Sequence, residues 1–106
     1  MNKRKLYGVS REVPVISSDI EFISWIKRGK TRSFVFSNMK ENVMPSELVS
    51  LLSQKDGRKS SSHYAEISRA LAELKSQKLI VCLNPKAKTG KLYNLSERGK
   101  KLKKLI

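Results

Sequence analysis

A long amphipathic segment that runs straight into a short apolar one dominates this 106-residue sequence. The stretch Ser60 to Lys78 reads SSSHYAEISRALAELKSQK. Ile67, Leu71 and Leu74 recur at spacings of four and three with Ala70 beside them, which is the period of one helix face. Tyr64 prolongs that stripe toward the start. Ser62, Glu66, Arg69 and Glu73 fall on the opposite face, with His63 at its leading end. Ser61 or Ser62 supplies a side chain able to cap free backbone N–H groups. Leu79 to Leu83, LIVCL, is strand-like, so the chain passes from a helix into a strand with no linker.

The charge is as uneven as the hydropathy. The net charge is +14. Residues 84–106 hold eight Lys or Arg against one Glu, and residues 1–11 hold four against none. The excess sits at the two ends, beside the amphipathic helix, and points to a polyanionic partner. One cysteine, Cys82, excludes an intrachain disulfide and fits a reducing, cytoplasmic setting. Nothing approaches 18 consecutive apolar residues, so no membrane span is expected, and the N-terminal run has no apolar signal core; the basic C-terminal segment is too short, and its apolar edge too thin, for a membrane partner.

Around the long helix the chain divides into three parts. Residues 1–18 form a basic arm with Lys3, Arg4 and Lys5; it is open to lying over the core, pairing in a dimer or touching phosphates, and its first six residues are expected to be disordered. Residues 19–95 form the main domain. A short helix is expected over Asp19–Lys27, with Ile20, Ile23 and Trp25–Ile26 as apolar contacts and Gly29 as its end. A second is expected over Thr31–Lys40, with Phe34, Val35, Phe36 and Met39 at core positions. The basic run Lys27, Arg28, Lys30 and Arg32 between them is a candidate phosphate clamp or a solvated junction. A third helix is expected over Pro45–Ser53, with Leu48, Leu51 and Leu52 inward and Pro45 at its first position. The linker after it, SQKDGRKS, either continues that helix or forms an extended loop. Arg58 and Lys59 lie there, beside the N–H groups that open the next helix, a pairing suited to phosphate. Beyond Lys78 a hairpin is expected: a strand over 79–84, a loop over 85–91 carrying Lys86, Lys88 and Lys91, and a return strand over 92–95. Residues 96–106 form a basic helix capped by Ser96, with Leu102, Leu105 and Ile106 along its apolar edge.

The segment EISRALAELKSQKLIVCLNPKAKTGKLYNLSERGKKL resembles the winged helix-turn-helix transcription regulators of archaea, relatives in the broad sense of the MarR and ArsR groups. The likeness covers about Ser61 to Leu105 and loosens over Ile20 to Leu52. It implies a mainly α fold with a small β-hairpin wing and a homodimer on double-stranded DNA. The helix at about 61–78 would then read the major groove. Ser61, Ser62, His63, Glu66 and Arg69 would reach base edges or nearby phosphates, with Ser68 a weaker candidate. Lys86, Lys88 and Lys91 would be wing contacts, and Arg58 and Lys59 flanking phosphate contacts. The resemblance also suggests small phenolic or anionic effectors, but no residue here specifies one.

Catalysis finds no foothold in the sequence. His63 is the only histidine and Cys82 the only cysteine, so neither a His cluster nor a Cys-rich metal site can form. A Cys82–His63 nucleophile pair is weakened by the strand-like surroundings of Cys82, where a small apolar residue packs well. No GxGxxG or GxxxxGK[ST] phosphate loop is present. No enzyme, cofactor or metal is expected. Two other readings share the composition: a nonspecific chromatin-like DNA-binding protein, and a winged-helix module that binds protein or RNA.

Overall fold

The computed structural model describes residues 18–58 and 61–106. The expected arm, apart from Ser18, and the candidate contact Lys59 lie outside the described residues. Among those described, five helices and one hairpin follow in order: α1 (Asp19–Arg28), α2 (Lys30–Ser37), α3 (Pro45–Asp56), α4 (Ser61–Ser76), β1 (Ile80–Cys82), β2 (Tyr93–Leu95) and α5 (Glu97–Leu105). The protein is mainly helical with a small antiparallel hairpin. No helix of the described residues is long and apolar enough to cross a membrane.

Ser18 opens α1, its hydroxyl accepting the Glu21 N–H at 3.2 Å. The buried row of this helix is Phe22 and Ile26, four apart on one face. Ile20, expected to be an apolar contact, is 80% exposed; it lies two positions before Phe22 and so points off the buried row. Gly29 alone separates α1 from α2. Arg32 folds back across this corner: its guanidinium stacks over Trp25 at 4.1 Å, donates to the Trp25 carbonyl and pairs with Glu73 of α4 at 3.2 Å. Trp25 is thus partly buried scaffold. In and after α2, Val35, Phe36 and Met39 are buried.

The third helix runs three residues beyond Ser53. Glu47 accepts the Met44 N–H at 2.9 Å at its start. At its end Gly57 turns left-handed (φ 75°), Gly57 N–H reaches the Gln54 carbonyl, and Arg58 N–H reaches the Ser53 carbonyl at 3.1 Å. This paired termination needs a residue free to adopt positive φ, and Asp56-Gly57 supplies it. Only residues 57–60 are left to connect α3 to α4, so of the two expected courses for the linker the helix continues. Leu48 and Leu52 are buried, whereas Leu51 is 37% exposed and Val49 packs against the core edge in its place.

The hairpin pairs Ile80 with Leu95, Val81 with Asn94 and Cys82 with Tyr93. Its ladder is shorter than the expected strands. A single residue ahead of α3 extends it: Val43 exchanges both backbone hydrogen bonds with Tyr93, at 3.0 and 2.9 Å. Buried side chains of all five helices and of β1 meet in one core, including Phe36, Leu48, Ile67, Leu74, Leu79 and Leu102. Ser96 caps α5 by accepting the Gly99 N–H at 3.0 Å, and donates its own proton to the Lys78 carbonyl at 2.6 Å. Of the apolar edge expected on α5 only Leu102 is inside; Leu105 and Ile106 remain exposed.

Candidate nucleic-acid interface

Helix α4 lies against both α2 and α3, with Ile67, Ala70, Leu71 and Leu74 turned inward. These positions are committed to packing, and the remaining surface splits into two rows. Tyr64 and Ser68, at i and i+4, form the row that faces the hairpin, continued by the edge of the buried Leu71. Together with Pro45 of α3 and Lys88 and Lys91 of the hairpin loop they line a groove of about 410 Å³. Ser62, Glu66, Arg69 and Glu73 form the other row, whose far end abuts α2 through the Glu73–Arg32 pair. Between the rows the outward crest carries Ala65 and Ala72, both exposed and both small.

The expected contact residues divide accordingly. Arg69 is exposed, close to the crest. Ser62 and Glu66 are exposed as well, but Glu66 stands two residues from Tyr64, roughly 200° round the helix, and so on the flank away from the hairpin. Ser61 begins α4. Arg58 is exposed immediately after α3. Lys86 and Lys88 are exposed on the hairpin loop, and Lys91 is half-buried at the groove wall.

His63 is corrected by the structure. Only 3% of it is exposed. Its Nε2 lies 2.8 Å from Asp56 Oδ2 and its Nδ1 3.1 Å from Ser53 Oγ, so the imidazole bridges the end of α3 to the first turn of α4. It sits at i−4 from the buried Ile67, on the inward side, and so off the exposed Ser62–Glu66 row. A buried imidazole with both nitrogens occupied is scaffold for α4 rather than a contact for a ligand.

The loop is held by one residue. Asn84 Oδ1 accepts the Leu92 N–H at 2.8 Å, its amide donates to the Gly90 carbonyl at 3.1 Å, and its backbone carbonyl accepts the Ala87 N–H at 3.0 Å. Gly90 adopts φ 67°, which a side chain would strain. The lysines therefore ride on a pinned turn. Tyr93 floors the groove beneath them. Burial raises its phenol above the usual value of 10.0, and Cys82 and Tyr64 push it the same way, so it is a neutral hydroxyl at physiological pH.

Charge does not single out Tyr64, Ser68, Ala65 and Ala72, which carry much of this surface, because none of them is charged. Their signal is positional: they occupy the crest of α4 and the flank of its apolar stripe that is nearest the hairpin.

Among the described residues no three His, Cys, Asp or Glu side chains gather to form a metal site. Comparison with protein-family models, with curated proteins and with solved structures finds no match to this chain.

Proposed function

We propose that this protein is a double-stranded DNA-binding transcription regulator with a winged helix-turn-helix architecture. Support comes from one juxtaposition: the groove that unites the exposed flank of α4 with Lys88 and Lys91 of the hairpin loop. A helix with a crest of Ala65 and Ala72 can approach base edges closely in a major groove about 12 Å wide. Arg69 then has the reach for a bidentate bond to guanine, and Ser68 and Tyr64 the reach for bases or phosphates on the hairpin side. Lysines on the pinned loop would neutralise phosphates of the adjacent backbone, a contribution by charge rather than by sequence reading. The net charge of +14 supplies the long-range attraction. A two-fold dimer belongs to the same reading and is supported by the exposed Leu105 and Ile106 at the end of α5.

Selection of bound duplexes from a random pool tests the proposal. A palindrome with half-sites about one helical turn apart is the expected result. Uniform recovery of all sequences would instead identify a nonspecific, chromatin-like binder. Failure to retain any duplex at low salt would remove DNA as the partner.

A further inference from the structure

A second cationic groove, distinct from the one between α4 and the hairpin, opens where α1 gives way to α2. It has a volume of about 480 Å³ and is lined by Lys27, Arg28, Lys30 and Lys55, with Phe34 and Asn38 as aromatic and polar neighbours. Among the described residues no acidic one lines it. No ion pair to Lys27, Arg28, Lys30 or Lys55 is present among the described residues; Lys55 instead lies over the Phe34 ring at 5.2 Å. Lys27 and Arg28 suit the negative end of α1, but Lys30 does the opposite: it opens α2, whose first turn holds no acid and whose cap makes no side-chain hydrogen bond. Three helices thus bring like charges together around a groove to which the described residues contribute no carboxylate.

The position of the groove says what would offset them. Pro45 lines the α4–hairpin groove and Lys55 lines this one, ten residues apart on the same helix. At 1.5 Å per residue α3 therefore spaces the two by about 15 Å. Arg58, exposed just past the end of α3, continues the positive charge from Lys55 toward the start of α4. Duplex DNA carries a charge every 1.7 Å or so along its axis, so one duplex presents phosphates over the whole of such a span.

We infer that the Lys27–Arg28–Lys30–Lys55 groove is a second backbone-binding surface, which takes phosphodiesters of the duplex outside the segment gripped by α4 and the hairpin. This rests on the proposed DNA-binding function. It assigns to the α1–α2 junction a share of affinity, without sequence preference, that depends on the DNA extending past the recognised site.

The test compares the wild-type protein with the triple variant Lys27→Gln, Arg28→Gln, Lys30→Gln. Both are titrated with the selected duplex trimmed to the base pairs that selection fixes, and with the same duplex extended by one helical turn at each end. A control variant, Lys100→Gln, Lys101→Gln, Lys104→Gln, removes equal charge from α5. On the extended duplex the junction variant is expected to flatten the plot of log K against log salt by about two to three units for each protomer bound, at about 0.9 for each phosphate no longer neutralised. On the trimmed duplex it should bind as the wild type does. Equal losses on both duplexes, or equal losses in the α5 control, would reduce the effect to net charge and overturn the inference. An unchanged slope in the junction variant, while Lys88→Ala still lowers it, would overturn the inference and leave the proposed function standing. If no variant and no wild-type protein binds either duplex, the proposed function falls and the inference with it.

Discussion

His63 and Asp56 join the two helices that flank residues 57–60. The 2.8 Å contact between Nε2 and Oδ2 runs from the first turn of α4 to the last residue of α3, and Ser53 holds the other ring nitrogen. This buried ring braces α3 against α4 alongside the apolar packing between them.

Replacing His63 by Ala removes the bridge and leaves a gap between α3 and α4. A loss of about 1–3 kcal/mol is expected, the range for a buried polar group deprived of its partner. Chemical denaturation of His63→Ala, Asp56→Ala and the double variant would measure it. The two single losses should not add, since each breaks the same contact.

Gly99→Ala should also destabilise, although alanine is the better helix former by about 0.8–1.0 kcal/mol. A Cβ at this position would collide with the Leu79 carbonyl oxygen. Backbone must move, and overpacking of that kind costs about 1–3 kcal/mol. A lowered thermal midpoint with α5 released from β2 is the expected readout; a raised midpoint would mean that α5 sits farther from Leu79.

Asn84→Ala should loosen the hairpin loop without unfolding the protein. The amides of Leu92 and Ala87 would exchange faster with solvent, because the first loses its acceptor and the second its pinned partner. Exchange rates equal to those of the wild type would show that the loop does not depend on this side chain.

Arg69 and Lys88 should fail in different ways. Arg69→Ala should lower affinity for a preferred duplex by about 1–3 kcal/mol and relax the choice of base at one position. Lys88→Ala should weaken all duplexes alike and reduce the salt slope by about one unit. Competition binding against random duplex, repeated over a salt series, separates the two.

Tyr93 makes stability depend on pH at the alkaline end. Its folded value lies above the unfolded 10.0. Below about pH 10 the phenol is protonated in both states and its contribution is complete; between the unfolded and folded values the folded state holds more protons, so stability falls as pH rises. The difference in urea midpoint between the wild type and Tyr93→Phe should change across that window, with the wild type losing stability relative to the variant. A constant difference would contradict the burial of the hydroxyl.

Periodicity reveals what repeats and misses what depends on neighbours. The α4 stripe of Ile67, Ala70, Leu71 and Leu74 is buried as its spacing requires, because a helix this long leaves little freedom in phase. In the shorter α1, with only ten residues, Ile20 and Phe22 offer rival phases, and the partners of the buried ring are distant in sequence: Phe22 joins the common core, and Arg98 of α5 stacks on it at 4.4 Å. Leu51 looks as apolar as Leu52, yet it lies about 100° round the helix from the buried Leu48–Leu52 row and stays 37% exposed. The length of α3 turns on Gly57, whose left-handed backbone ends the helix later than the Ser-Gln-Lys composition suggests. The place of His63 is hidden for another reason, since a histidine's polarity says nothing about which buried partners await it. The lysines of the hairpin can be read from composition; the groove they share with Tyr64 and Ser68 requires the register of β1 and β2.

Val43 gives that groove a mechanical character. Its paired bonds to Tyr93 clip the loop end of the hairpin ladder to the residue just ahead of Met44 and α3. The hairpin cannot pivot on its own stem, because swinging it would tear two backbone bonds or drag Met44 and Pro45 along. A pull on Lys88 is consequently transmitted to the front of α3, and any adjustment of fit must be absorbed in the few residues between Asn84 and Leu92.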